Sequence, residues 1–376
     1  MRSVGYEDIW PRVAEIVGDV RDRGDAALAD WTERLDGVRP ERLRVAAAGP
    51  ELEADVAEAL RRLIAAVTAF HAAQRPADVA LEPVPGIRVE RRWLPLDSVG
   101  IYVPGGRAAY PSSLVMAAAP ARAAGVERIC VVTPRPAPAV LAVARELGID
   151  EIYAVGGAQA IAALAFGTES IPRVDKIVGP GNRWVTAAKL LVSAHVGVDL
   201  LAGPSEVLIV ADGTADPALC AADLAAQAEH GPDSEALLVT TSERVAAGVK
   251  PGPQIRVELV GSLEEALARA NEYAPEHLQL HVADPEAAAG QVRNAGAVFL
   301  GEQTSSVLGD YVAGSNHVLP TGGLARASGG LGLEAFLKPV QFVRATAEAA
   351  RAAGEVAGPL SRIEGLPAHG EAVAAR

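Results

Sequence analysis

Hydrophobic positions in residues 7–71 recur at helical spacing. Ile9, Val13, Ile16 and Val20 lie three or four apart, with charged residues between them, and the same spacing returns around residues 52–64. This periodicity is typical of amphipathic helices. Glycine and proline interrupt it at Gly37 and at 49–50, so we predict a helical front section made of several helices.

Residues 79–93 read as extended chain. Pro83 and Pro85 limit this stretch to an edge or irregular strand, because proline cannot donate to a strand ladder. We therefore expect a hairpin-like crossing after the front helices.

From residue 98 the pattern alternates between short apolar strands and helices. The strands are predicted at 98–103, 128–133, 151–155, 176–178, 206–210, 235–240, 278–282 and 297–300. The helices are predicted at 113–125, 137–147, 158–166, after 182, and at 218–229, 263–273 and 285–294. Repeated βα units predict mostly parallel sheets with helices on both faces.

The last part of the chain has a different pattern. Residues 302–332 are rich in glycine and serine and show little periodicity, which indicates a functional loop. The tail reads as helical from 345 to about 364.

Three predicted strands end in glycine-rich turns, at 103–106, 155–157 and 178–182. Ligands of open parallel sheets bind at the carboxyl ends of the strands, and a close ligand requires glycine. Tight turns require glycine equally, so the turns alone leave both interpretations open. The nearest match to a dinucleotide fingerprint, residues 330–335, follows a loop and not a strand, so we interpret it as a turn.

Composition narrows the classes of function. The chain has 376 residues, of which 50% are hydrophobic and 22% charged, with a net charge of −13. This charge argues against nucleic acid and against an anionic membrane as partner. Cys130 and Cys220 lie in apolar stretches and are expected to be buried thiols. No signal core and no apolar run of membrane-spanning length is present, so we expect a cytoplasmic protein.

One helical stretch carries two side chains that can bind metals. Gln227 and His230 are three apart, so a helix would place them on one face, about 5–6 Å apart at Cβ. Gly231 and Pro232 are expected to end the helix directly after His230. The pair is either part of a polar helix face or half of a metal site, in which the amide oxygen joins an imidazole.

The seven histidines fall into three groups. Two lie in apolar helical stretches and are expected to be structural, namely His71 and His195, while His281 on a strand could be structural or functional. Four lie at breaks in regular structure: His230, His277, His317 and His369. Four histidines at such breaks favour a functional site.

Longer motifs support one family. Residues 101–111, 155–168, 179–182, 202–207, 227–234, 273–278, 309–311, 315–323 and 364–369 resemble histidinol dehydrogenases, in the same order along nearly the whole chain. The resemblance implies an α/β fold with two Rossmann-like, aldehyde-dehydrogenase-like open parallel-sheet domains, a helical N-terminal section and a C-terminal helical arm. It divides the chain into a first domain of residues 1–97 and 205–332, a second of 98–204, and a dimerisation arm of 333–376.

The resemblance also implies the ligand sites. Zinc, with manganese as a possible substitute, would be bound by Gln227, His230, Asp310 and His369. One carboxylate with neutral imidazoles and an amide suits such a cation and leaves room for a substrate nitrogen. These four residues and His277 would also contact substrate, together with Ser205, His317 and Glu364. NAD would be contacted by Tyr102, Gln159 and Asn182.

The reaction implied is the oxidation of L-histidinol to L-histidine through the aldehyde, with two NAD⁺. Glu276 and His277 match the catalytic pair. A neutral histidine can take the alcohol proton, and a glutamate can activate the water that adds to the aldehyde. The family forms homodimers whose C-terminal arm reaches the partner's site, so Glu364 and His369 would act in a second copy.

Three alternatives remain at this point. The chain could oxidise another small diol or amino alcohol, because one sequence does not define the substrate. It could be a zinc hydrolase that uses Glu276, although the glycine-rich strand ends count against that interpretation. A non-catalytic, metal-stabilised dimer is disfavoured by the intact pair of Glu276 and His277.

Overall fold

The computed structural model of the protein describes residues 5–105, 109–200 and 203–376. The end of the first glycine-rich turn, from Gly106, and Ala202 of one family motif lie outside these ranges. Contacts divide the chain into two compact units, the first made of Met1–Gln74 and Leu96–Phe336 and the second of Arg75–Pro95 and Leu337–Arg376.

The predicted helical front is confirmed. It contains α1 (Trp10–Arg23), α2 (Asp25–Asp36) and α3 (Ala54–Ala72). Proline at the start of α1 fits the first turn, where its missing N–H is not needed, and α2 ends at Gly37 in the left-handed conformation. The apolar stripe of α1 is fully buried, as its spacing predicts.

A six-stranded sheet follows in the first unit. Its strands are β1 (Arg44–Val45), β4 (Ser98–Tyr102), β5 (Arg128–Val132), β6 (Glu151–Tyr153), β7 (Lys176–Val178) and β8 (Gly197–Val198), in the order β1-β6-β5-β4-β7-β8. Only the short β1 runs antiparallel to its neighbour. The connecting helices are α4 (Pro111–Ala124), α5 (Pro138–Glu146), α6 (Gly157–Phe166) and α7 (Arg183–Val192).

The second sheet of this unit has five strands, all parallel. They are β9 (Glu206–Ala211), β10 (Glu235–Thr240), β11 (Ile255–Leu259), β12 (His277–His281) and β13 (Ala297–Leu300), in the order β11-β10-β9-β12-β13. The helices are α8 (Pro217–Ala228), α9 (Glu243–Gly248), α10 (Leu263–Tyr273) and α11 (Pro285–Ala289). The fold class of open parallel sheets with helices is thereby confirmed.

The front helices share a core with the first sheet. Residues of α1 and α2 pack with α6, α7 and one face of the 98–198 strands in a single apolar cluster. Helices α1 and α2 were expected to belong with the sheet formed by residues 205–332, but their apolar faces are buried against the first sheet. The domain boundaries given above stay a prediction.

The second unit combines a small antiparallel sheet with three helices. Strands β2 (Val79–Val84) and β3 (Ile87–Pro95) form the expected hairpin, and β2 is an irregular edge strand as its prolines predict. β14 (Leu337–Ala345) pairs with β3 along its whole length. The helices are α13 (Ala347–Ala352), α14 (Gly354–Ile363) and α15 (Pro367–Ala374).

Several predictions from the pattern were wrong. The arm begins with the strand β14, and α9 and β11 were not predicted at all. The helix predicted at 285–294 ends at Ala289, and His195 lies in a turn after α7. The stretch 302–332 is not all loop, because it contains α12 (Ser306–Tyr311) and a 3-10 turn at Leu324–Arg326. Strands at sheet edges and helices of one or two turns have patterns too short to stand out in a sequence.

Within the described residues, no helix is both long enough and apolar enough to cross a membrane.

Candidate functional site

The carboxyl edge of the first sheet contains a topological switch point. From β4 the chain proceeds to β5 and β6 on one side and then returns to β7 on the other. Loops that leave β4 and β7 therefore diverge, and ligands of open α/β sheets bind in the crevice between such loops. Tyr102 ends β4, and Gly179 to Asn182 follow β7.

The turn after β7 is held tightly in place. Gly179 has φ +109°, and a Cβ on it would lie 2.2 Å from the backbone oxygen of Tyr102. The Gly179 N–H donates to Asp199 Oδ2 at 2.6 Å, and its carbonyl accepts from Lys189 Nζ at 2.5 Å. Lys189 and Asp199 form a buried ion pair, with Nζ 2.5 Å from Oδ1. At the end of the turn, Asn182 Oδ1 caps α7 by accepting from two backbone N–H groups.

A second turn reaches the same edge. The Gly157 N–H donates to the hydroxyl of Tyr102 at 3.3 Å, which links the end of β4 with the turn after β6. Gln159 begins the next helix and is only 1% exposed, and its Oε1 has no hydrogen-bond partner. The structure thus places Tyr102, Gln159 and Asn182 around one sheet edge. A buried, unpartnered acceptor fits a ligand that carries hydrogen-bond donors.

The pair of Glu276 and His277 lies at the amino end of β12, in the second sheet. Both side chains are 8% exposed, and His277 Nδ1 lies 3.6 Å from Glu276 Oε2. The backbone of Glu206, on the neighbouring β9, contacts both. Its N–H donates to Glu276 Oε2 at 2.8 Å, and its carbonyl lies 3.1 Å from His277 Nδ1. Because a carbonyl only accepts, Nδ1 carries the hydrogen and Nε2 keeps its lone pair.

Burial controls the charge of this pair. It lowers the pKa of His277 to about 4, and the nearby His317 and His230 add to this effect. Burial also raises the pKa of Glu276 well above its usual value, although the hydrogen bond from Glu206 opposes the change. The pair is thus a neutral imidazole next to a carboxyl group that is protonated more readily than an exposed glutamate.

Gln227 and His230 lie at the end of α8, but not on one helix face. The helix ends at Ala228, so His230 follows in a turn, where its Nδ1 is 3.3 Å from the carbonyl of Gln227. The expectation that Gly231 and Pro232 end the helix was therefore wrong by two residues. Gln227 Nε2 is buried without a partner. A flip of the amide would present its oxygen at this position.

Asp310 and His317 extend the same group. His317 Nδ1 lies 3.7 Å from Asp310 Oδ1. Burial raises the pKa of Asp310 to about 6, while the charge of His230 acts in the opposite direction. Burial lowers the pKa of His317 to about 4. Mutual electrostatic effects among His230, His277, His317 and Asp310 indicate that these residues share one site.

The donor set fits a divalent cation. In the part of the chain that the structure describes, no three or more His, Cys, Asp or Glu side chains are grouped as a metal site. Three of the four expected ligands, His230, Asp310 and His369, are of these types, so the described chain does not bring these three together as one group. Asp310 is a half-buried carboxylate with little cationic compensation, and Gln227 has an unpartnered buried amide nitrogen. Both groups would gain an interaction from a bound cation.

The remaining predicted residues lie at the ends of elements. Ser205 directly precedes β9 and is half-buried. Glu364 and His369 belong to the second unit, where Glu364 caps the end of α14 and His369 lies in the first turn of α15. Both are exposed in the chain.

Two other histidines are structural. His71 is fully buried, and its ring nitrogens contact the carbonyls of Val67 and Leu331, as expected for a structural histidine. His281 is 1% exposed and interacts with Cys220 and Gln279. Both cysteines are free and buried, which confirms the prediction for them.

Sequence reasoning missed the residues that support the site. Glu206 positions the pair through its backbone, Lys189 and Asp199 clamp a turn, and Asp223 contacts the start of α12. A signal existed for two of them, because Lys189 and Asp223 are charged residues inside otherwise apolar helices. The contacts of Glu206 are made by its backbone, so the identity of the residue gives no indication of them.

Comparison with known proteins finds the histidinol dehydrogenase family. The family profile of histidinol dehydrogenase matches residues 2–258 and 252–376. A histidinol dehydrogenase of Rhodospirillum rubrum is 46% identical over 401 residues, with 98% of this chain and 92% of that protein covered. One of Rhizobium meliloti is 45% identical over 400 residues, at 98% and 92% coverage.

Solved structures lead to the same family. The crystal structure of histidinol dehydrogenase from Elizabethkingia anophelis superposes with a TM-score of 0.92 at 35% identity, covering 100% of this chain and 94% of that one. Succinate-semialdehyde dehydrogenase from Burkholderia pseudomallei shares the fold alone, with a TM-score of 0.51 at 16% identity and coverage of 90% and 88%. The chain therefore belongs to the histidinol dehydrogenase family.

Proposed function

We propose that the protein oxidises L-histidinol to L-histidine through L-histidinal, with one NAD⁺ reduced in each of two steps. The observation that carries this proposal is the buried pair of Glu276 and His277, oriented by the Glu206 backbone, in a chain of this oxidoreductase family. The pair supplies a base for alcohol oxidation and a carboxylate for the addition of water.

In the first step His277 acts as the base. Its Nε2 has the free lone pair and takes the alcohol proton as the alcohol is oxidised to the aldehyde. NAD⁺, when bound, would supply the hydride acceptor for this step. The lowered pKa of His277 keeps the imidazole neutral at physiological pH, so the lone pair of Nε2 is free.

In the second step Glu276 takes the proton of a water molecule as the water adds to the aldehyde. The raised pKa of Glu276 makes this carboxylate a stronger base than an exposed glutamate. The hydrated aldehyde keeps one carbon-bound hydrogen. His277, after releasing its first proton to solvent, accepts a hydroxyl proton of the hydrate, and a second bound NAD⁺ would accept the hydride. The product is the carboxylic acid.

Substrate binding involves a larger set of side chains. We propose that Gln227, His230, Asp310 and His369 hold Zn²⁺, or Mn²⁺ in its place, and that Ser205, His317 and Glu364 contact the substrate. When bound, the cation supplies a positive charge that orients the imidazole and amine of the substrate. The buried unpartnered amide of Gln227 and the raised pKa of Asp310 support this assignment.

The nicotinamide cofactor is assigned to the carboxyl edge of the first sheet. We propose that Tyr102, Gln159 and Asn182 contact NAD. The switch point between β4 and β7 supports this position, as does the unpartnered Oε1 of Gln159.

We also propose a homodimer in which Glu364 and His369 complete the site of the second copy. Exposed apolar side chains on α14 support an interface there: Val356 is 65% exposed, Leu360 49% and Ile363 81%. Contiguous exposed apolar residues mark protein interfaces. We infer a cytoplasmic location, because two free buried thiols suit a reducing compartment.

The test is the amount of NADH formed per L-histidinol consumed, before and after chelation and after return of zinc. We expect a ratio of two that requires the metal. A ratio of one would contradict the aldehyde step assigned to Glu276. If L-histidinol gives no NADH but another amino alcohol does, that alcohol is the substrate and not L-histidinol. Hydrolysis without NADH formation would support a zinc hydrolase instead.

A further inference from the structure

The helix that carries Asp310 is anchored to the helix that carries Gln227. Ser305 caps α12 by accepting from the Val307 N–H, and its hydroxyl donates to Asp223 Oδ1 at 2.6 Å. Asp223 lies on α8, one turn before Gln227. This hydrogen bond therefore joins the two elements, with a predicted metal ligand just beyond it on each side.

A buried chain of hydrogen bonds attaches α12 to β12 as well. Gln279 Nε2 donates to Ser306 Oγ at 3.1 Å, and Gln279 Oε1 lies 3.0 Å from His281 Nε2. An amide oxygen only accepts, so His281 Nε2 carries the hydrogen and Nδ1 faces Cys220 Sγ at 3.4 Å. Burial raises the pKa of Cys220 to about 12, so this thiol keeps its proton for His281.

This polar network differs from ordinary core packing. Its members in β12 and α8 are buried, and Asp223 Oδ2 lies 3.6 Å from His281 Nε2. A short helix of six residues has little stability of its own, so side-chain contacts decide where it lies. The contacts at Ser305 and Ser306 fix the start of α12, and Asp310 follows one turn later.

We propose that Asp223 and Ser305 are positioning residues that hold Asp310 beside Gln227 and so determine the affinity of the metal site. This inference rests on the proposed function, because it takes Gln227 and Asp310 as ligands. Outer contacts that orient metal ligands affect affinity strongly, and their loss typically weakens binding about 10–100-fold.

The experiment measures Zn²⁺ affinity by competition with a chromophoric chelator, on the full-length protein. Ser305→Ala removes the hydroxyl that bridges the two helices. We expect its Kd for Zn²⁺ to rise about 10-fold or more. Ser305→Thr keeps a hydroxyl and is expected to bind close to wild type. Asp223→Ala removes the other partner and is expected to match Ser305→Ala.

The matched control is Ser262→Ala. Ser262 caps α10 through the same kind of bond, from Glu265 N–H to its hydroxyl at 3.2 Å, so the variant loses an equivalent cap. We expect its melting temperature without metal to fall through loss of the cap, with Zn²⁺ affinity unchanged.

Two outcomes would overturn the inference. Ser305→Ala with wild-type Zn²⁺ affinity would show that the bridge does not position the ligands. Equal loss of affinity in Ser262→Ala would reduce the effect to general stability. If the wild type itself binds no Zn²⁺, the proposed metal site is wrong and the inference fails with it. This result can be told apart from the other two because then no variant binds Zn²⁺ either.

Discussion

His277 combines two properties that a catalytic base requires. It is neutral because burial lowers its pKa to about 4, and its free Nε2 is defined by the hydrogen bond of Nδ1 to Glu206. Exchange of His277 for asparagine removes the proton acceptor without adding bulk. We expect kcat to fall about 10²–10⁴-fold, with zinc content unchanged. Full activity in steady-state assays of His277→Asn would remove this residue from the mechanism.

The burial of His277 also predicts a pH dependence of stability. An unfolded histidine titrates near 6.5, whereas the pKa in the folded protein is about 4. Between these values the unfolded chain binds more protons than the folded protein. The contribution of His277 to folding stability is therefore complete above pH 6.5 and is lost as the pH falls towards 4.

The expected size can be measured by urea unfolding in the presence of a chelator. Relative to His277→Gln, the wild type is expected to lose about 2 kcal/mol of unfolding free energy between pH 7 and pH 5. The comparison removes contributions from groups that both proteins share. A difference that stays constant with pH would contradict the buried neutral state.

Among the elements, the turn after β7 depends most on a single ion pair. Lys189 and Asp199 are 3% and 1% exposed, and they bind the carbonyl and the N–H of Gly179 respectively. Lys189→Met leaves Asp199 as an uncompensated buried charge. We expect a loss of about 3–5 kcal/mol in unfolding free energy, together with weaker NAD⁺ binding.

The double variant Lys189→Met, Asp199→Asn provides the control. It removes both charges but keeps an oxygen to accept from the Gly179 N–H, so we expect more than half of the lost stability to return. Calorimetric unfolding of the three proteins decides this. No recovery in the double variant would mean that the loss comes from the missing hydrogen bond between Lys189 and the Gly179 carbonyl, and not from the unpaired charge of Asp199.

The functional residues of the two sheets lie at opposite edges of the strands. The first sheet uses its carboxyl edge, where glycine turns follow β4 and β7. In the second sheet Glu276 and His277 lie at the amino edge, next to Glu206 at the start of β9. The end of α8 returns to this edge, because a helix after a parallel strand runs in the opposite direction. His230 and Gln227 therefore belong with the amino edge.

At the scale of the whole molecule, the proposed dimer makes a prediction that mixing can test. One preparation carries His277→Asn and the other His369→Ala, and each alone is expected to be nearly inactive. If His369 acts in the second copy, each mixed dimer has one site with both residues intact. Random reassembly is then expected to restore about a quarter of wild-type activity. No recovery after verified subunit exchange would place both residues in one chain's site.

The order of βα units could be predicted from the sequence alone. The periodicity of apolar residues is local, so it survives in a single sequence and predicts most strands and helices to within a few residues. The strands β14 and β11 were not predicted from the sequence because each lies at the edge of its sheet. Edge strands are defined by a partner that is distant in the chain, as β14 is by β3.

The sequence by itself determined the family and the residue types of the site, because the motifs around Gln227, Glu276 and His317 are local strings of residues. Only the tertiary structure decided the protonation and the position of these side chains. The neutral imidazole of His277 follows from burial and from a backbone carbonyl on another strand, and the position of Asp310 follows from a hydroxyl contact with another helix. Dielectric environment and hydrogen-bond geometry arise from chain segments far apart in sequence, so no local pattern encodes them.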